Sequence, residues 1–229
     1  MLRKTTGNMY EFITHTWNPI KGRCSHDCAY CYMKQITPNA NPPRLVDYEL
    51  NTDLGNGNFI FIGSSTDMFA DDIPSEWIKI VLDYCSWQYN NGNKNKFLLQ
   101  SKNPKRFLEF INHPIAKCCE FGTTIESNRF YPGIMRNAPR IEERVDAMEE
   151  IASNGIVTMV TAEPLMQFDH DEIVKLIKRC CPQQVNIGRN TNYNVKLPEP
   201  TADEVKKMVD EIETFSTVVV KANALGWLE

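Results

Sequence analysis

The chain has 229 residues, with 25 Lys and Arg against 29 Asp and Glu, a formal charge of −4. That length suits one larger domain with an ample core, and the charge balance excludes a strong global basic field while allowing a local basic patch. Composition is that of a globular protein, 42% hydrophobic and 24% charged, which argues against extensive disorder.

Short apolar runs alternate with longer amphipathic ones in chain order. The first predicted strand is Glu11–Thr16, followed by three crowded cysteines and an Asn- and Pro-rich loop over Thr37–Asn58. A strand at Asn58–Gly63 precedes a helix from Pro74 to Tyr84, with Trp77, Ile78, Val81 and Leu82 at helical spacing and Pro74 suited to a first turn. A strand at Lys96–Gln100 leads to a helix opening at Asn103-Pro104, and a strand at Cys119–Ile125 to a helix over Arg140–Ser153 that stops at Asn154-Gly155. The remaining elements are a strand at Ile156–Thr161, a helix at Asp169–Arg179, a strand at Gln184–Ile187, a loop at Asn190–Pro200, a helix opened by the capping box Thr201–Glu204, and a strand at Thr217–Lys221. Such alternation implies βα units and a parallel sheet with right-handed crossovers. A partial (β/α)6 TIM-type barrel with parallel strands is expected, as a single domain over residues 1–229, since a full barrel typically takes about 250 residues. The first βα loop lacks G-x-G-x-x-G, which disfavours a dinucleotide-binding open sheet.

No apolar run reaches about 18 residues, and the N-terminus has basic residues without an apolar stretch, so neither a membrane span nor a secretory signal is expected. A cytoplasmic location follows, and the eight cysteines are expected as free thiols or metal ligands rather than a disulfide framework.

Cys24, Cys28 and Cys31 form a C-x3-C-x2-C loop directly after the first strand. Three thiolates in one short loop can converge on one small object. A structural zinc site with His26 as fourth ligand is one reading, although such sites usually draw ligand pairs from separated segments. A redox C-x-x-C of Cys28 and Cys31 is another and leaves Cys24 without a role. The third is a [4Fe–4S] cluster with three protein ligands. Four cysteines would saturate such a cluster, whereas three leave one iron open to a cosubstrate.

The loop resembles that of the radical S-adenosylmethionine superfamily. The resemblance extends to Thr16-Trp17-Asn18-Pro19, Gly63–Pro74, Leu99–Arg106, Thr124–Asn128 and Ala162-Glu163-Pro164-Leu165, which follow one another at strand ends. Together these segments look like a phage-associated family of radical-SAM-like proteins of unassigned substrate, and more distantly like spore photoproduct lyase. That phage family commonly has a longer gap between the first two cysteines than the three residues present here.

The resemblance implies a [4Fe–4S] cluster on Cys24, Cys28 and Cys31, with S-adenosylmethionine as cosubstrate and Tyr30 near its adenine. It also implies an external electron donor, flavodoxin- or ferredoxin-like. Barrel active sites lie at the C-terminal strand ends, so Ser65, Thr66 and Asp67 are expected near the cosubstrate ammonium, and Lys102 or Arg144 near its carboxylate. Glu126 and Asn128 suit the ribose hydroxyls, Glu163 a pocket position, and Asn186 or Gly188 backbone contacts to the adenine. The implied chemistry is reductive cleavage of the cosubstrate to a 5′-deoxyadenosyl radical that abstracts hydrogen from a substrate.

A nucleic acid or nucleotide is the first substrate candidate, for modification or repair, and a small metabolite the second. Lys94, Lys96, Lys102, Lys105 and Arg106 are a possible phosphate-binding stretch, set against an ordinary solvated face. A non-catalytic iron–sulfur or zinc accessory protein is the rival class. Cys85, Cys118, Cys119, Cys180 and Cys181 are expected as structural thiols, and His15 is a better functional candidate than His170.

Overall fold

The computed structural model describes residues 1–228. Its strands are β1 Arg3–Lys4, β2 His15–Trp17, β3 Ile20–Lys21, β4 Arg44–Leu45, β5 Phe59–Ile62, β6 Lys96–Gln100, β7 Cys119–Thr124, β8 Thr158–Ala162, β9 Gln184–Ile187 and β10 Thr217–Val220. Its helices are α1 Met33–Ile36, α2 Ser75–Asn90, α3 Pro132–Met135, α4 Ile141–Ser153, α5 His170–Arg179 and α6 Ala202–Ile212.

An eight-stranded sheet runs in the order β1-β2-β5-β6-β7-β8-β9-β10. β1 pairs antiparallel with β2, and every later neighbour pair is parallel. This is the partial parallel barrel that the βα alternation implies, closed by no pairing between its first and last strands. β3 and β4 form a separate antiparallel pair beside it.

Alternation along the strands divides the core. One face of β5–β9 packs Ile60, Ile62, Phe97, Leu99, Val160 and Val185 against the helices. α4 meets it with Ile141, Val145, Met148 and Ile151, all buried at helical spacing. The other face points into the barrel, where Phe61, Leu98 and Met159 pack on Tyr10 and Ile13. Residues expected in a long first strand therefore do something else: Ile13 N–H closes a turn onto Tyr10 C=O at 3.0 Å, and that turn fills the barrel floor. The strand itself starts later, at His15.

Two helices differ from expectation. α2 continues to Asn90 because the buried Gln88 finds partners in Thr52 C=O and Tyr84 Oη. The segment after Asn103 is a 3-10 turn, Pro104–Glu109. Arg106 donates to Ala70 C=O and Ile73 C=O, both at 2.7 Å, while Phe107 sits edge-on to Phe69 and Phe121. That wedge leaves no room for a longer helix. The capping box on α6 is formed, with Thr201 and Glu204 bonded reciprocally.

Candidate functional site: a cysteine loop at the mouth of the barrel

The cysteine loop follows β3, and one glycine seats it. Gly22 has φ +143°, and a Cβ there would stand 2.6 Å from Pro42 C=O, so only glycine lets the Pro42-Pro43 segment close over the start of the loop. Thr66 donates to Gly22 C=O at 2.8 Å. Asp67 accepts at one oxygen, Oδ2, from Ser101 Oγ and Lys102 N–H, and bonds His26 Nε2 there, each at 2.9 Å. Residues expected to meet a cosubstrate ammonium thus brace the cysteine loop, and among them only Ser65 keeps its hydroxyl uncommitted.

Cys24, Cys28 and Cys31 are free thiols lining one cavity of about 400 Å³ together with Ser65, Thr66 and Lys102. Burial, then the nearby Asp67 charge, pushes the Cys24 thiol up to about 12; burial also raises Cys28. Among the described residues no three His, Cys, Asp or Glu side chains close on a point as ligands of one ion do. His26, the alternative fourth ligand, gives its Nε2 to Asp67 instead. Three thiols facing one cavity without a fourth protein donor fit a cluster with an exchangeable position.

Beside the thiols lies a buried ionic knot. Glu126 is fully buried and accepts from Tyr30 Oη, from Lys102 Nζ at 2.7 Å and from Arg144 Nη1 at 2.8 Å. Burial pushes the Glu126 carboxyl up, but Arg144 and Lys102 outweigh it and bring it to about 2. Tyr30 moves well upward through burial and the Glu126 charge. Arg144 is also fully buried, and its Nη2 is without a hydrogen-bond partner. Neither Arg144 nor Glu126 lines the cavity; they stand behind Tyr30 and Lys102, which do.

A second chamber of about 490 Å³ adjoins the first and shares Tyr30, Cys31, Tyr32, Gln100 and Lys102 with it. Glu163, just past β8, bonds Lys221 Nζ at 2.7 Å and Asn8 Nδ2 at 2.9 Å. Tyr10 donates to Gln100 at 2.9 Å, and Lys221 stands 4.7 Å from its ring centre. Asn8, Tyr10, Gln100 and Lys221 are functional candidates that strand-end reasoning missed. Lys221 was within its reach, since it ends the last predicted strand. Asn8 and Tyr10 precede the first predicted strand and lie between β1 and β2, arriving through the inward turn.

Of the expected site residues, Tyr30, Ser65, Thr66, Asp67, Lys102 and Glu163 line the two chambers, and Glu126 and Arg144 stand buried behind Tyr30 and Lys102. Asn128 does not. Its side chain ties the start of α5, donating to Asp169 at 2.9 Å and accepting from Asp169 N–H at 2.7 Å. The basic stretch is likewise dispersed. Lys94 lies over the Tyr89 ring and Lys96 is exposed at the start of β6, while Lys102 and Arg106 are engaged beyond its far end.

Residues 8–174 match the protein family described as "Protein of unknown function (DUF5131)". The chain belongs to that family. No curated protein matches this DUF5131 member in sequence. Its fold is similar to that of solved structures. A spore photoproduct lyase complexed with dinucleoside spore photoproduct aligns at TM-score 0.67 and 11% identity, covering 94% of this chain and 79% of that one. A lyase variant with bound AdoMet and the same dinucleoside gives 0.64 at 11%, with 93% and 78% covered. Streptococcus suis SuiB bound to S-adenosylmethionine gives 0.57 at 11%, with 90% of this chain and 49% of that one. At such identities the likeness is one of fold: a partial barrel with its loops at the C-terminal strand ends. No helix among the described residues is long and apolar enough to cross a membrane.

Proposed function

We propose that this protein is a radical S-adenosylmethionine enzyme. The observation that carries the reading is the sharing of one cavity by three unpaired thiols, directly beside the Tyr30–Lys102–Glu126–Arg144 knot at the barrel mouth. Bound there, a [4Fe–4S] cluster would supply the electron that cleaves S-adenosylmethionine and so provides a 5′-deoxyadenosyl radical for hydrogen abstraction. Cys24, Cys28 and Cys31 would hold the cluster, and His26 and Asp67 keep their loop in place. Lys102, which lines the cavity, would meet an anionic group of the cosubstrate, and Glu126, itself held by Arg144, aims it. The second chamber, walled by Tyr10, Gln100, Thr161 and Glu163, holds the substrate away from bulk water, as radical chemistry requires. The solved structures with bound AdoMet support this reading through their fold.

The substrate class we propose is a nucleotide or nucleic acid, with a small metabolite as the competing class. Anaerobic reconstitution tests the enzyme class. A brown protein with about four irons per chain that exchanges a cosubstrate-dependent spectral change supports it. Stoichiometric zinc with no iron uptake would replace it with a non-catalytic metal-binding protein.

A further inference from the structure

We propose that a groove beside the cysteine loop binds the phosphodiester backbone of a single-stranded nucleic acid. The inference rests on the enzyme reading for its purpose and deepens it by narrowing the proposed substrate class to a single strand and naming the surface that holds it.

The groove, about 850 Å³, runs between β1 and the β3–β4 pair. Arg3, Lys4 and Arg44 line it, all exposed, and Arg23 stands exposed at the adjoining cysteine cavity. Among the described residues none of these four enters an ion pair. The groove's one acid, Glu49, is buried and doubly committed, to Lys21 at 2.6 Å and to the Met1 amine. The two acids of the adjoining cavity are committed as well, Asp27 to Lys34 and Arg136, and Asp67 to His26. A chain of net charge −4 therefore gathers unneutralised positive charge along one depression. That local field suits a polyanion.

The groove is continuous with both chambers, and one side chain marks the junction. Tyr32 lines all three spaces, is 40% exposed, and is pinned through its hydroxyl to Ser64 C=O at 2.7 Å. A fixed aromatic face between a phosphate track and a chamber is where an unstacked base can rest. Asn18, Ser64, Ser65 and Asn41 along the groove add neutral hydrogen-bonding groups of the kind that meet phosphate and sugar. A lone mononucleotide would use little of this length; a strand uses all of it.

The test is a fluorescence-anisotropy titration of the iron-loaded protein with a labelled mixed-sequence single-stranded oligonucleotide, repeated across salt concentrations. Four cation contacts predict a slope of log K against log salt near −3, falling by roughly 0.7 for each cation neutralised. R3E/R44E should weaken binding at least tenfold. K94E/K96E carries the same change in net charge outside the groove and should bind like wild type. Tyr32→Ala should weaken binding with the salt slope unchanged. Iron content and circular dichroism confirm that each variant is folded. Equal loss in R3E/R44E and K94E/K96E, or no loss in the former, would overturn the proposal. So would an acidic peptide binding as tightly as the oligonucleotide. The titration needs neither reductant nor cosubstrate, so its failure is read separately from a failure to cleave S-adenosylmethionine.

Discussion

His26 and Asp67 are held 2.9 Å apart, and through that contact the turn after β5 fixes the cysteine loop. Backbone bonds tie the loop to the segment before α4, Ala29 N–H to Ile134 C=O at 2.8 Å and Asn137 N–H to His26 C=O at 3.1 Å, and the His26–Asp67 brace adds the tie to the barrel side. Asp67→Ala removes the acceptor of His26, Ser101 and the Lys102 amide. It should cost about 2 kcal/mol in urea unfolding and lose most of its iron after reconstitution. His26→Gln, which can still donate to Asp67, should retain iron; His26→Ala should not. Equal iron loss in both His26 variants would make the imidazole a ligand rather than a brace.

The Glu126 knot ties stability to pH. Its carboxyl lies near 2 in the folded chain against an ordinary 4.5. The depressed value means that the unfolded chain takes up the proton first, so the knot's contribution is fully present above about pH 4.5 and fades as pH falls toward 2. Glu126→Gln leaves buried Arg144 without its counter-charge and should cost about 3–5 kcal/mol at neutral pH. The gap between wild type and variant in urea midpoint should narrow steadily below pH 4.5. A gap independent of pH would contradict the ionic account.

Glu163 and Gly188 form a tight pair of another kind. A Cβ on Gly188 would stand 2.7 Å from Glu163 Cδ, and Glu163 is held there by Lys221 and Asn8. Gly188→Ala should therefore destabilise by about 1–2 kcal/mol. In a Glu163→Ala background the same substitution should cost close to nothing. The coupling in that double-mutant cycle measures the contact directly; additivity would show that the two residues do not constrain each other.

The other cysteines should be separable from the site. Cys181 is exposed and Cys118 half-buried, and neither lines the cysteine cavity. Cys118→Ser/Cys181→Ser should keep wild-type iron content and an unfolding free energy within about 0.5 kcal/mol of wild type. Loss of iron in this variant would assign the pair a role in metal binding.

Much of this arrangement was legible beforehand, for identifiable reasons. β5, Phe-Ile-Phe-Ile, is a run of β-branched and aromatic residues, β6, β7 and β9 are short runs of strand length between amphipathic stretches, and the capping box at Thr201 and Glu204 states its own geometry. The cysteine spacing pointed to three thiols that line one cavity. The residues that bear on it across the barrel were harder. Asp67 was expected near a cosubstrate ammonium because a carboxylate can accept from it; its bond to His26, beside Ser101 and Lys102 from the next strand, was not legible from the local pattern. Asn128 sits one residue past Ser127, whose hydroxyl donates to Gln167 C=O, and the chain has by then left the barrel mouth. Ile13 falls inside the predicted strand, and with Tyr10 it is used as a plug. Their burial comes from Phe61, Leu98 and Met159, contacts between distant segments that a local pattern does not carry.

The central claim is tested most directly by measuring 5′-deoxyadenosine released from S-adenosylmethionine by the anaerobically reconstituted protein under dithionite. The account predicts release by the wild-type chain and none by Cys28→Ala. An iron-loaded wild-type protein that releases none, or a Cys28→Ala variant that matches the wild type, would contradict it.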